Sequence, residues 1–345
     1  MKTKLSLVIM PQFWFGLLFE SSWGWRATAL GLAALLDYGI GDPWNWLHPV
    51  QVMGQYIQRY SQGCLKRLQH PLLLRVAGVG LGLTTIGLSG MAGWLSLWVF
   101  NLIHPALGLV TEILLLASCF AGRSLRNAAG RVLQPLVDGD LQTARTVLSR
   151  YVGRDTVDLP ESEILRAVLE TVTENATDGV MAPLFYAILG AFSPVGAVPV
   201  ALAYKAASTL DSMVGYRTTP YTHLGWFSAR LEDCLTWLPC RLHVLTLALL
   251  SGRPGHVLRL CQRDGVKDLS PNSGWSEAAY AAVLGVQVGG MNRYGAVVKQ
   301  KPLLGEPIAP ITPEKIWQAT RLTRCCFLLW LFLAIGILDL LRNKR

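Results

Sequence analysis

Residues 76–103 constrain the chain more than any other stretch: 28 residues with almost no charge, too long for an ordinary core helix. About 20 such residues cross a bilayer as helix, because lipid offers no partner to an open backbone N–H or C=O. Similar runs recur at 106–121, 180–204, 235–250 and 325–341, and a shorter one, Ala27 to Leu36, precedes them. Charged residues make up only 15% of the chain against 52% hydrophobic, where a soluble domain is nearer a quarter charged. The expected fold is therefore all-α, a polytopic integral membrane protein with about five helical spans and polar helical segments between them.

The net charge of +9 has no zinc-finger, RNP or basic-repeat pattern to direct it to nucleic acid. Lys and Arg lie between the apolar runs, where they orient spans and meet membrane lipid or phosphorylated ligands. The seven cysteines form no CxxC pair and no metal-ligand spacing, so neither a disulfide framework nor a zinc site is expected. Residues 1–25 read as a membrane-associated extension: Lys2 and Lys4 imitate a signal peptide, but Pro11 interrupts the apolar run and no A-x-A site follows. Residues 26–345 read as one membrane-embedded domain.

Within 76–103 the glycines at 78, 80, 82, 87, 90 and 93 suit close helix packing in lipid. His104-Pro105 turns this run into the next, making a helical hairpin. Arg123, Arg126 and Arg131 begin a polar helical segment, 122–165, that the positive-inside rule places in the cytoplasm; the tail Arg342–Arg345 favours a cytoplasmic C-terminus. Ser193-Pro194 interrupts 180–204, which is either one span of about 25 residues or a re-entrant pair of short helices that brings Lys205 back to its starting side. The segment holding Arg230, Glu232 and Asp233 reads as too polar to span, and 235–250 as a run that either crosses or lies on the interface.

The residues with chemistry cluster at the ends of these runs. Asp37, Asp42 and His48 lie in a turn-rich stretch with Trp44 and Trp46. In RAVLETVTENATDGVMAPLF, helical spacing sets Glu170, Glu174 and Asp178 at i, i+4 and i+8, within about 80° of one another on one face. Like charges so placed cost a few tenths of a kcal/mol per pair, so the stripe calls for a cation, Mg2+ or basic side chains, or for water. Lys205, Ser208 and Ser212 share a later helical face with Asp211 beside them. In DGVKDLSPNSGW, Ser273 reads as the N-cap of an Ala-rich helix from Trp275, and the preceding loop as a place where free N–H groups meet an anion.

Four stretches taken together, DYGIGDPWNWLHPVQVMG (37–54), ETVTENATDGVMAPLFY (170–186), YKAASTLDSMVGYR (204–217) with FSARLEDCLTWLPCRL (227–242), and DGVKDLSPNSGWSEAAYAAVLGVQVGG (264–290), resemble the adenosylcobinamide-phosphate synthase family of cobalamin biosynthesis. The resemblance covers roughly 30–300 and rests on the motifs occurring in order. It implies an inner-membrane ligase, active site facing the cytoplasm, that uses Mg2+ and ATP to join the propionate carboxylate of adenosylcobyric acid to 1-aminopropan-2-ol or its phosphate. On that resemblance Glu170, Glu174 and Asp178 are metal candidates, with Asp211 beside them. Asp42 and His48 are proton acceptors, and Lys205, Arg217 and Arg230 neutralise phosphate. Asn175 joins the catalytic candidates, and Ser208, Thr209, Asp233, Asp264, Lys267, Ser270, Asn272, Ser273, Gly274 and Trp275 the substrate contacts. Family members commonly carry Asn where Ser208 stands. Other late cobalamin-pathway membrane enzymes are the expected protein partners. The rival readings are a non-catalytic scaffold for those enzymes and a small-solute transporter; the latter would place its charges within spans and commonly shows internal repeats, which this sequence lacks.

Overall fold

Apolar runs bounded by His-Pro steps and by glycine turns become helices, and helices dominate the computed structural model, which describes residues 22–41, 48–216 and 218–343. In chain order they are α1 (Ser22–Gly39), α2 (Pro49–Arg67), α3 (Pro71–Ile103), α4 (Pro105–Ala117), α5 (Gly122–Val137), α6 (Leu141–Leu148) and α7 (Glu161–Asn175). A π-helical segment, Ala176–Met181, joins α7 to α8 (Ala182–Ala191), followed by α9 (Ala197–Val214), α10 (Trp226–Leu250), α11 (Pro254–Asp264) and α12 (Ser273–Leu284). Strands β1 (Gln287–Tyr294) and β2 (Val297–Gly305) then form an antiparallel hairpin before the long C-terminal α13 (Pro313–Asn343). Most of the 1–25 extension, together with Asp42, Trp44, Trp46 and Arg217, and the expectations made for them, lie outside the described residues.

Among the described residues, four stretches are long and apolar enough to cross a membrane: Pro71–Ile103, Pro105–Val137 (α4 and α5 together), Trp226–Leu250 and Pro313–Asn343. The protein is an all-α polytopic membrane protein. The helices α2, α3 and α4 each begin on a His-Pro pair whose imidazole accepts the N–H two residues on, with proline filling a first-turn position that needs no donor. On α3 the small residues do allow close approach: a Cβ at Gly93 would come within 2.7 Å of Leu202 Cδ1 on α9.

Two expectations are corrected here. Glu232 and Asp233 do not precede a span; they sit inside the 25-residue α10, which carries them toward the bundle. The segment after α12 is not helical. Gly285 takes a left-handed φ of 66° and ends the helix, and 287–305 pair as a hairpin turning at Gly295 (φ 59°).

Of the two readings of 180–204, the structure has the pair of short helices. Chain direction reverses at Ser193–Gly196, and Arg26 of α1 holds the tip by donating from Nη1 to the carbonyls of Ala191 and Ser193, both at 2.8 Å. Gly190 lets the two arms meet, since a Cβ there would lie 2.9 Å from Ala197 Cα. The reversal returns Tyr204 to where the pair began: its hydroxyl lies 3.4 Å from the Asp178 carbonyl.

Candidate functional site: an acidic recess beside a cationic cavity

The carboxylate stripe is divided by the fold. Glu170 is buried and faces Arg154 and Arg166; Arg166 Nη1 donates to its Oε1 at 2.8 Å, and the Gly289 N–H of β1 donates to the same oxygen at 2.8 Å. Burial alone would raise its pKa, but Arg154, Lys301 and Arg166 hold it below the ordinary carboxylate value. Glu170 is thus the anchor of the hairpin on α7, and the cation its position called for is arginine, not a metal. Arg154 and Arg166 also reach the Asn292 carboxamide, at 2.8 and 3.0 Å, which completes the clasp.

Past Glu174 the helix widens. Ser276 of α12 donates its hydroxyl to the Thr173 carbonyl at 2.6 Å, occupying the acceptor that the Thr177 N–H would use in an α-helix. Thr177 Oγ1 instead lies 2.8 Å from Ser276 Oγ and 2.9 Å from His243 Nδ1, and the Ala182 N–H reaches back five residues to Thr177. Such π turns are frequent at functional sites. This one rotates Asp178 out of α-helical register with Glu174 and sets it near Glu232, Asp211 and Asp233.

Glu174 and Asp178 belong to an acidic cluster, the acidic recess, with Asp211, Glu232 and Asp233. Glu174 is exposed and Asp178 half-buried, so water reaches both side chains. Burial raises the Glu174 pKa, and Asp268 and Glu170 add to it while Lys301 and Arg154 oppose it. Asp178 is pushed well above the ordinary carboxylate range by burial first and then by Glu232, Glu174, Asp211 and Asp233. Its Oδ1 is buried with no hydrogen-bond partner. A buried carboxylate oxygen left open among four other acids is a place for a cation or a proton. Among the described residues, no three His, Cys, Asp or Glu side chains stand close enough to hold a metal by themselves. The donor set therefore fits Mg2+ only in its common form, bound by one or two carboxylates with substrate oxygens and water. It does not fit the three-carboxylate grouping of Glu170, Glu174 and Asp178.

Beside the recess is a cavity of about 580 Å³ lined by His48, Arg123, Ser124, Asn127, Arg131 and Lys205 among others. Lys205 follows Tyr204, whose hydroxyl donates to the Asp178 backbone carbonyl, and Gly179 packs on Ala121 next to the Ser118–Phe120 wall. The fold thus joins His48 and Lys205, far apart in sequence, and adds Arg123 and Arg131, which had been read only as marks of topology. The ring Nδ1 of His48 accepts the Val50 N–H at 3.3 Å as the cap of α2. A neutral imidazole in this arrangement carries its proton on Nε2 and presents a donor there.

The remaining candidates are mostly structural. Asn175 returns its amide to the Thr171 carbonyl at 2.9 Å, and Thr209 its hydroxyl to Lys205 at 2.7 Å. Ser208 is partly buried on α9, and Arg230 stands exposed early in α10. Asp264 pairs with Arg263 at 2.7 Å and Lys267 at 2.9 Å, and accepts the Gly305 N–H at 3.1 Å. Burial works against this, but the three donors hold its pKa down to about 2. Asp264 and Lys267 therefore tie α11 to the base of the hairpin. The N-cap of α12 is Asn272, not Ser273, and Ser270 Oγ accepts the N–H groups of Asn272 and Ser273, both at 3.3 Å, which removes them from any anion. Asn272 is buried, donating to the Asp233 carbonyl at 2.9 Å and accepting from Arg241 at 3.2 Å, while Arg241 lies 4.4 Å over Trp275. Gly274 packs on the Gly265 backbone and Asp268. The loop fastens α12 to α10 beside Asp233.

Residues outside the expected set complete the site. Lys301 of β2 donates to both oxygens of buried Glu277 at 2.6 and 2.8 Å; burial would lower its pKa, but Glu277, with Glu170 and Glu174, holds the ammonium above its usual range. Glu232 lies buried against Thr236 and Asp178. A charged residue on an otherwise Ala-rich helix was the signal for Glu277; nothing in the sequence pointed to Lys301.

Fold and site together define a multi-pass membrane protein with an acidic recess and a cationic cavity at the foot of a helical hairpin. The chain belongs to the CobD/CbiB family, whose description, CobD/Cbib protein, matches residues 30–323. It is 53% identical over 310 residues to a cobalamin biosynthesis protein CobD of Synechocystis sp., covering 90% of this chain and 91% of the relative. A CobD of Klebsiella pneumoniae is 41% identical over 311 residues (89% and 95%), and a cobalamin biosynthesis protein CbiB of Salmonella arizonae 40% over 296 (84% and 91%). No solved structure matches.

Proposed function

We propose that this protein acts in cobalamin biosynthesis as an adenosylcobinamide-phosphate synthase, forming the amide between the propionate of adenosylcobyric acid and 1-aminopropan-2-ol or its O-phosphate at the expense of ATP. The observation that carries the reading is the adjoining of two opposite surfaces, the Glu174–Asp178 recess and the His48–Lys205 cavity, in a chain of this family. A carboxylate does not react with an amine directly. Transfer of the ATP γ-phosphoryl group to the propionate oxygen gives an acyl phosphate and ADP; the amine then attacks the acyl carbon and inorganic phosphate leaves. Phosphoryl transfer depends on positioning and on neutralising charge.

Lys205, Arg123 and Arg131 supply the charge that holds phosphate and propionate oxygens, and the Nε2–H of His48 adds a donor. Asp178, with Asp211 or Asp233 as a second carboxylate, would hold Mg2+, which would supply positive charge against the phosphate. Glu174, wet and with a raised pKa, is suited to take the proton that the incoming ammonium must lose before it attacks.

Membranes containing the protein, given adenosylcobyric acid, aminopropanol phosphate and Mg-ATP, are expected to yield adenosylcobinamide phosphate and ADP. Folded protein that gives neither product would leave a scaffold role, and uptake of labelled solute into vesicles would point to transport.

A further inference from the structure

A second cavity, of about 400 Å³, lies between α1 and α13 and has no part in the chemistry above. Its walls are aliphatic and aromatic, with Leu32, Leu35, Leu328, Leu331, Phe332 and Ile335 running its length. Leu35 and Phe332 are 66% and 65% exposed, so the slot opens sideways, along two helices that pack against one another. One end alone is charged. There Arg324 Nη1 donates to the Tyr38 hydroxyl at 2.7 Å and stacks its guanidinium 3.8 Å over the ring; Arg126 lies 5.0 Å over the same ring. Arg123 Nη1 donates to the Tyr38 carbonyl at 2.9 Å, while its buried Nε has no hydrogen-bond partner. Helix α5 starts at this end, at Gly122, with no side chain capping its N-terminus. Against three guanidinium groups and that helix end the lining sets one carboxylate, Asp37.

An apolar slot open to the side with an excess of positive charge at one end matches an amphiphile with acyl chains and an anionic head. We propose that the α1–α13 groove is a binding site for an anionic phospholipid, its phosphate at Arg123, Arg126 and Arg324 and an acyl chain along Leu32, Leu35, Phe332 and Ile335. The headgroup end holds Arg123, which also lines the cationic cavity, so the lipid sits one side chain from the candidate active site. Free phosphate shares the headgroup chemistry but has no use for the slot.

The test is native mass spectrometry and thermal unfolding of the full chain in neutral detergent, titrated with dioleoyl phosphatidylglycerol or dioleoyl phosphatidylcholine. Phosphatidylglycerol is expected to be retained at least about tenfold more strongly and to raise Tm, with inorganic phosphate doing neither. Arg126→Gln with Arg324→Gln should reduce its retention to the phosphatidylcholine level, and Gly31→Leu, which adds bulk to the groove and leaves the arginines, should reduce both lipids. Equal retention of the two lipids by the unaltered protein overturns the proposal. So does a preference that survives the double arginine variant, or stabilisation by inorganic phosphate equal to that by the lipid.

Discussion

Lys301 of the β-hairpin and Glu277 of α12 form an ion pair in which one ammonium meets both carboxylate oxygens, at 2.6 and 2.8 Å, with the Glu277 side chain wholly buried. The pair fixes the hairpin from one side as Glu170 fixes it from the other, through the Gly289 N–H. The only sheet in the described structure is thereby clamped against α7 and α12.

Breaking that clamp should be costly. Lys301→Met leaves a buried carboxylate without its counter-charge, and losses of this kind run to about 3–5 kcal/mol. Thermal unfolding in detergent is expected to show a clear fall in Tm for Lys301→Met and for Glu277→Leu, and recovery of much of it in the double variant. A double variant as unstable as the sum of the two singles would mean that the ion pair is not the contact at issue.

Glu170 and Glu174 are one helical turn apart and are expected to behave differently. Glu170→Gln weakens the clasp of Arg154 and Arg166 and should lower stability and loosen 287–305, seen as faster amide hydrogen exchange there. Glu174→Gln and Asp178→Asn should leave insertion and folding intact and abolish amide synthesis. Normal turnover by both of the latter would remove the recess from the reaction.

The pH dependence has a definite sign. Glu174 and Asp178 have raised pKa values, so as pH climbs from the ordinary carboxylate range the unfolded chain releases these protons first and the native recess keeps them. The native state then binds more protons, and stability falls with rising pH across the window between the unfolded and folded values. Asp178 carries the larger share, since Glu174 keeps contact with water. Without divalent cations Tm should therefore fall as pH rises above the ordinary carboxylate range, Asp178→Asn should flatten the fall, and Mg2+ should restore Tm most at the higher pH. Asp264 works the other way: its pKa of about 2 contributes stability that is present above its unfolded value and lost as pH falls toward 2.

In the cationic cavity, Lys205→Met removes one charge-assisted contact, worth about 1.5–3 kcal/mol, so KM for an anionic substrate should rise about 10- to 100-fold. His48 needs two variants, because it also caps α2. His48→Asn keeps a capping side chain while removing the imidazole donor, and His48→Ala loses both. Loss of turnover in His48→Ala with full activity and KM in His48→Asn would reduce its role to capping.

Much was legible in the order of residues. Long uncharged runs must become helices in lipid, since no other open backbone is satisfied there, and His-Pro steps and glycines mark where those helices begin and end. The spacing of Glu170, Glu174 and Asp178 announced that cations were needed, and the Ser193-Pro194 interruption announced a break. What those carboxylates face was not legible. Glu170 belongs to a guanidinium clasp because residues 287–305 fold back over α7, and that pairing depends on contacts more than a hundred positions away. Asp178 leaves the stripe because Ser276, on a distant helix, takes the Thr173 carbonyl and widens the turn. His48, Arg123, Arg131 and Lys205 become one cavity only when the α8–α9 hairpin reverses. Backbone hydrogen bonding is a local demand that the sequence states outright. The partner of a charge is chosen by packing, which brings residues from distant parts of the chain together.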